Sequence, residues 1–149
     1  GLPPGYIDAV TPEMAAQDLV RADALANEHD LGLNLYQGEE GLRFKAIRFD
    51  RVIALSDALP MLENLGLRIL SEHPYELETE GRVIAIQDFV VQAQRPLGDL
   101  DAARADFEDA FARIWAGEAE NDGFNRLVLA AGLTWRQVAM LRGYAKYLL

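Results

Sequence analysis

"RVIAIQDFVVQA", Arg82 to Ala93, is apolar on both of its alternations: Val83, Ala85 and Phe89 on one, Ile84, Ile86 and Val90 on the other. Successive side chains of a strand point to opposite faces, so such a run is buried only if both faces are covered. It therefore belongs in the middle of a sheet. Asp88 interrupts it, and an ionised carboxylate buried without a partner costs several kcal/mol. Exposure at a bulge or strand end is the expected way out. The alternative is a salt bridge to an arginine such as Arg43, Arg48 or Arg51, fixing the sheet or a neighbouring domain.

Working outward, Leu67 to Leu77 reads as a strand that a turn at Glu78 to Gly81 joins to this one. Leu31 to Tyr36 and Leu42 to Phe49 alternate around the turn Gly38-Glu39-Glu40-Gly41 and make a hairpin. Between hairpin and crossover strand lies a helix with Leu59, Leu62 and Leu65 inside and Gly66 at its left-handed end. Asp57 is favoured over Ser56 as its cap, because Pro60 then falls in the first turn, where its missing N–H breaks no helical bond. The β-α-β crossover, with Arg82 to Ala93 inserted between its partners, predicts an α+β, ferredoxin-like four-stranded antiparallel sheet with helices on one face. Residues 31–36 then take the outer place beyond 42–49.

Helices flank this body. Pro3 and Pro4 mark an extended lead-in, after which Thr11 caps a helix with Pro12 first and Met14, Ala15, Leu19, Ala22 and Leu25 on one face. Asp99 opens another, with the stripe Leu100, Ala103, Phe107, Phe111, Ile114 and Trp115. Phe124 to Ala131 is a short helix ending at Gly132, and Thr134 with Gln137 forms a capping box for the last. Three parts are expected: residues 1–30 as lead-in and helix, 31–121 as the sheet domain, and 122–149 as a helical link.

Composition excludes several classes of function. With 149 residues, half hydrophobic and about a quarter charged, the chain can bury a core. A formal charge of −10 with 14 scattered cations repels phosphate backbones, so no nucleic acid is expected. No apolar run approaches the roughly 20 residues that span a bilayer. No membrane partner is expected. The absence of cysteine suits a reducing cytoplasm. Gly1 in place of a methionine and the apolar end Tyr147-Leu148-Leu149 suggest a piece of a longer polypeptide.

Two stretches resemble a known family. "DRVIALSDALPMLENLGLRI", Asp50 to Ile69, resembles the first strand-loop-helix of ACT domains, small ferredoxin-like regulatory modules. "FEDAFARIWAGEAENDGFNRLVLAAGLTWRQVAMLRGYAKYLL", Phe107 to Leu149, is similar to the segment ahead of the catalytic region in large bacterial NAD-specific glutamate dehydrogenases. The likeness runs from about Phe44 to Leu149. It implies a parent enzyme that deaminates glutamate to 2-oxoglutarate with NAD, and the rest of that polypeptide as partner. An amino-acid effector is also implied, with Asp50, Arg51, Ile53, Ser56 and Asp57 as loop candidates. Where ACT domains usually carry Pro-Gly, however, this chain has Val52 and Ile53. A branched side chain fills space there and resists positive φ. A structural or interdomain role is therefore favoured over effector binding.

Catalytic equipment is missing from these residues. No two glycines are separated by a single residue, so a dinucleotide loop is absent, and Lys45 and Lys146 sit in no catalytic setting. No catalytic residue and no cofactor are assigned to this chain, NAD belonging to the implied parent. His29 and His73 share no ligand spacing, so no metal site is assigned. Ser71 and His73 fall on one strand face without a third group to orient a base, which reads as surface.

The end of the chain carries the interdomain candidates. Asn121 or Asp122, beside Asn125, is read as a helix cap. Alternatively, Glu118, Asp122 and Arg126, at fourfold spacing, form a polar strip toward the catalytic domain. The last helix carries one stripe of Trp135, Val138, Leu141, Ala145 and Leu148 and a second of Met140, Tyr144 and Tyr147. One neighbour is expected in Phe124, Leu127 and Val128, and the other beyond this chain. Uncovering even ~300 Å² of apolar surface costs roughly 7 kcal/mol, so self-association or fraying is expected in isolation. Three readings stay open: a coupling module, an amino-acid sensor, and a freestanding acidic adaptor.

Overall fold

The computed structural model describes residues 31–79 and 81–148. The lead-in and helix expected over residues 1–30, with His29, the side chains of Tyr147 and Leu148, and Leu149 lie outside the described residues.

Four strands, β1 (Gly32–Gly38), β2 (Gly41–Phe49), β3 (Leu67–Thr79) and β4 (Arg82–Ala93), form one antiparallel sheet in the order β1-β2-β4-β3. Helix α1 (Leu55–Asn64) makes the crossover from β2 to β3, and α2 (Leu100–Trp115) follows β4. A 3₁₀ turn (Gly123–Arg126), the single turn α3 (Leu127–Ala130) and α4 (Trp135–Leu148) complete the described chain. This is the ferredoxin-like α+β sheet expected, with the β1–β2 hairpin at the outer place.

The helix side of the sheet holds the main core. Leu35, Phe44, Phe89 and Val91 from the strands meet Leu62, Phe107 and Phe111 from α1 and α2. The Phe44 ring stands edge-on to Phe107 at 5.5 Å and tilted to Phe111 at 4.9 Å, arrangements that aromatic pairs favour. Arg104 on α2 donates to the Leu35 carbonyl at 2.7 Å and Glu108 accepts from the Leu35 amide at 2.8 Å. These bonds occupy backbone groups on the outer edge of β1, which would otherwise invite another strand.

A bulge after Ile69 gives the long β3 strand two faces. Ile69 pairs with Val91 but Ser71 pairs with Val90, so the register slips by one at Leu70. Odd positions before the slip, Leu67 and Ile69, face the helices; odd positions after it, Tyr75 and Leu77, face the other side. There they join Ile47, Phe49, Ile84 and Ile86 in a second apolar cluster.

Three local expectations need correction. α1 starts at Leu55 behind Ala54, whose carbonyl accepts from Asp57 and Ala58, so neither Ser56 nor Asp57 caps it. Pro60 consequently sits inside the helix, and the carbonyl it leaves unserved belongs to exposed Ser56, where water can replace the lost donor. Residues 124–131 form a 3₁₀ turn followed by one α turn. Asp88 is not exposed at a bulge or strand end: it is 1% exposed in mid-strand.

Arg43 is the partner that makes this tolerable, its guanidinium 2.9 Å from the Asp88 carboxylate, while the Tyr36 hydroxyl donates at 3.1 Å. Arg48, the other candidate on β2, faces the helix side and stacks over Trp115 at 4.8 Å. Burial pushes the Asp88 carboxyl above its ordinary range, with Arg43 and then Lys45 pulling it back. A carboxyl raised by folding contributes stability below its unfolded pKa near 4 that is lost as pH rises through the folded value. Asp88→Asn should therefore gain stability relative to the wild type between about pH 4 and 7. Urea melts at both ends of that range measure this, and parallel curves would contradict the buried charge.

Candidate functional site

The β2–α1 connection is where the effector candidates lie. Its turn is made by Asp50, with φ +70°, a conformation an aspartate tolerates better than most residues. Asp50 donates its amide to the Val83 carbonyl at 2.9 Å. Asp50 and Arg51 point to solvent, and Arg82 lies 3.6 Å from Asp50 in an exposed pair of little energetic weight. Ile53 is the opposite case, with 0% of its surface exposed.

Both peptide groups of Ile53 are occupied by one side chain. Gln87 on β4, itself buried, accepts from the Ile53 amide at 2.9 Å and donates to the Ile53 carbonyl at 2.8 Å. The Gln87 side-chain nitrogen also donates to Glu72 at 2.7 Å. The loop is thus stitched to the central strand with its backbone polarity satisfied and an isoleucine in the space beneath. A ligand reaching for that backbone meets neither a free amide nor room. Ser56 and Asp57 lie apart from this stitch, at an open cleft of about 320 Å³ that they share with Pro60, Met61, Ile114, Trp115 and Asn121.

The interdomain candidates fall into two groups. Asp122 caps the 3₁₀ turn by accepting from the Phe124 amide at 3.0 Å, the capping role expected of it. It also receives Arg142 of α4 as a fork, at 2.6 and 2.8 Å. Asn125 is buried, accepting from Arg142 at 2.9 Å and donating to the Glu120 carbonyl at 2.7 Å. Asn121 accepts instead from Asn64 at 2.9 Å, tying the turn to the end of α1. The row expected for Glu118, Asp122 and Arg126 does not form on one helix, because the chain leaves α2 at Ala116 and turns at Gly117, φ +77°. Glu118 pairs back to Arg113 and Arg126 stays exposed.

On α4, Trp135 is half-buried between the guanidinium groups of Arg113 at 5.2 Å and Arg136 at 5.4 Å. Val138 and Arg142 form the buried face, and Val138 joins the main core with Val128. Leu141, expected on the inner stripe, is 42% exposed, since Arg142 takes the inward position to reach Asp122. Met140 and Tyr144 are each 62% exposed on the outer side, with Phe124 also partly bare. Met140, Leu141 and Tyr144 thus give α4 an exposed apolar strip. The capping box behind it is present: Thr134 and Gln137 exchange hydrogen bonds at 2.9 and 3.2 Å.

Comparison with known proteins now bears on these two sites. Residues 30–105 match the family described as glutamate dehydrogenase, ACT3 domain, and residues 119–149 match glutamate dehydrogenase, helical motif 3. The chain belongs to the glutamate dehydrogenase family. It is 45% identical to an NAD-specific glutamate dehydrogenase of Pseudomonas aeruginosa over 99% of its own length and 10% of the relative's. With the corresponding protein of Halomonas elongata it shares 42% identity over 98% of this chain and 9% of the relative, and with that of Mycobacterium tuberculosis 36% over 96% and 9%. The chain thus spans about a tenth of these relatives. In glutamate dehydrogenase terms, the stitched loop lies in the ACT3 part and the apolar strip in helical motif 3. No described helix is long and apolar enough to cross a membrane.

Sequence reading missed Gln87 and Arg142. The signal for Gln87 was its place beside Asp88, a second polar residue inside the otherwise apolar run Val83 to Val91; the signal for Arg142 was its fourfold spacing from Val138 on the apolar stripe. Gln87→Leu leaves the Ile53 amide and carbonyl unpaired, and at roughly 1–3 kcal/mol for each buried orphan it should cost about 2–4 kcal/mol. Urea denaturation measures this, and a loss under ~0.5 kcal/mol would show the stitch to be incidental.

Hydrogen bonding from Arg142 holds the Asp122 carboxyl below its ordinary range. A depressed carboxylate contributes stability above its unfolded pKa that is lost as pH falls through the folded value. Asp122→Asn should lose about 1 kcal/mol at pH 7, discounted for partial exposure, and match the wild type in acid. An equal deficit at both pH values would mean that charge is irrelevant to the contact.

Proposed function

We propose that this chain is a non-catalytic ACT-type region that positions or couples domains within an NAD-dependent glutamate dehydrogenase. The whole enzyme would deaminate L-glutamate oxidatively to 2-oxoglutarate and ammonium, in the cytoplasm, with NAD and the catalytic groups held outside these residues. The body, residues 31–121, carries the sheet; the link, residues 122–149, carries the contact. Its partner is the rest of the polypeptide, met through Met140, Leu141 and Tyr144 with Phe124 and Trp135 at the margin, while Glu118 and Arg126 supply exposed charge nearby.

The observation that carries this reading is the outward strip on α4, three large apolar side chains each more than 40% exposed on a helix anchored by the Arg142 fork. A helix held so firmly yet apolar outward is suited to receive a neighbour. The second reading, an amino-acid sensor at the Asp50–Asp57 loop, is disfavoured by the occupied peptide groups of Ile53.

Met140→Glu with Tyr144→Glu separates the readings. In the whole dehydrogenase the pair should lower glutamate-dependent NADH formation or disturb assembly, while the 149-residue chain, where both side chains already face water, changes stability by under ~0.5 kcal/mol. Unchanged turnover and assembly would overturn the coupling role. Calorimetric titration of the chain with the common amino acids should be flat, and saturable heat abolished by Asp57→Ala would favour the sensor.

A further inference from the structure

Arg48 is a buried cation with no counter-charge among the described residues. It is 7% exposed on the helix side of β2, and no hydrogen bond or ion pair joins its guanidinium to any of them. The sheet register shows why the strands supply none. Across its row stand Ala85 and then Glu76, two strands away at roughly 10 Å, while Glu72 further along β3 is bound to Gln87. Burial, and then the like charge of Arg51, pull the Arg48 pKa below its ordinary value. What receives the guanidinium is the Trp115 ring at 4.8 Å, a cation–π contact that offers its N–H groups no acceptor oxygen. A charge buried without a partner is costly, whereas the same charge paired and hydrogen-bonded is tolerated.

We propose that the counter-charge is an aspartate or glutamate side chain from the part of the dehydrogenase outside this chain, docking between the start of α1 and the end of α2 to reach Arg48 beside Trp115. The inference rests on the coupling role and adds to the apolar strip of α4 a second contact of a different chemistry. Among the Arg48 nitrogens only Nε is both sealed from solvent and unbonded, so the terminal nitrogens, unbonded as well, keep an opening to the outside. A planar guanidinium fork matches a carboxylate. The loop beside it carries exposed Arg51, Val52 and Leu55, a positive and apolar margin in a chain whose net charge of −10 would otherwise repel an acidic partner. Trp115 also lines the cleft it shares with Ser56, Met61 and Ile114, which leaves room for the segment that bears the carboxylate. The chain spans about a tenth of its relatives, so most of such a polypeptide remains to provide that segment.

Arg48→Met keeps the length of the side chain and removes its charge. In the 149-residue chain the melting midpoint should hold level or rise by a few degrees, because an unpaired buried charge is gone. In the whole dehydrogenase the same substitution strands the partner's carboxylate and should speed thermal loss of glutamate-dependent NADH formation at least roughly tenfold. A purely structural role would move both preparations the same way. A lower midpoint in the 149-residue chain would place the partner within it and overturn the proposal, as would a smaller rise in the inactivation rate, or none. Free succinate that stabilises the chain but not its Arg48→Met variant would assign the site to a soluble carboxylate and overturn it too. The coupling role is judged separately: if Met140→Glu with Tyr144→Glu impairs the whole enzyme while Arg48→Met does not, that role stands and this contact falls.

Discussion

The two-sided burial of β4 is the constraint from which the rest of this structure follows. A strand with apolar side chains on both alternations cannot sit at an edge, so it must be flanked by β2 and β3, and that order dictates the crossover through α1. Two polar residues are buried in the strand, next to one another, and they therefore point to opposite faces. Gln87 works on the helix side, holding the β2–α1 loop, and Asp88 on the other, gathering Arg43 and Tyr36. A strand that had only apolar residues would pack as well but would specify neither the loop nor the register of the hairpin beside it.

The loop is built differently here from the Pro-Gly pattern that ACT domains usually carry. An ACT-like loop with glycine can bend at the point nearest a ligand, whereas in this chain the bend has moved upstream to Asp50 and the later position holds buried Ile53 in ordinary backbone. Once the peptide groups of Ile53 are satisfied by Gln87, displacing that amide for a ligand would strand buried donors and acceptors on both partners. Any such displacement would carry that cost, while the fold around the loop would stay intact. Exposed apolar side chains lie instead on α4, at Met140, Leu141 and Tyr144.

The strands were legible because period-2 alternation and double burial are written in side-chain type alone, and β4 matches its expected bounds at both ends. Gly66, at φ +97°, and the Thr134–Gln137 box were legible for the same reason: few residue types serve those positions. The bulge at Leu70 was not, since nothing in Leu67 to Leu77 distinguishes a slipped register from a straight one until the partner strand is placed. The start of α1 was misjudged because the rule for proline assumed a side-chain cap, while tertiary stitching at Ile53 sets the entry instead. Asp88 looked expensive to bury because its partners, Tyr36 and Arg43, lie 52 and 45 residues away and meet it only across the sheet.

Arg142 explains why α4 can be both fixed and unfinished. An apolar helix docked by greasy contacts alone would roll to bury Met140 and Tyr144 and leave some other side bare. A guanidinium forked onto Asp122 and bonded to Asn125 has one acceptable orientation, because planar bidentate geometry is lost with small rotations. Asp122 is in turn held by its role as cap of the 3₁₀ turn, and that turn is tied through Asn121 to the end of α1. A chain of polar contacts thus runs from the crossover helix to α4 and sets which side faces outward. The exposed strip is then a consequence of that anchoring, and a domain docking against it would meet a surface whose angle to the sheet is already fixed.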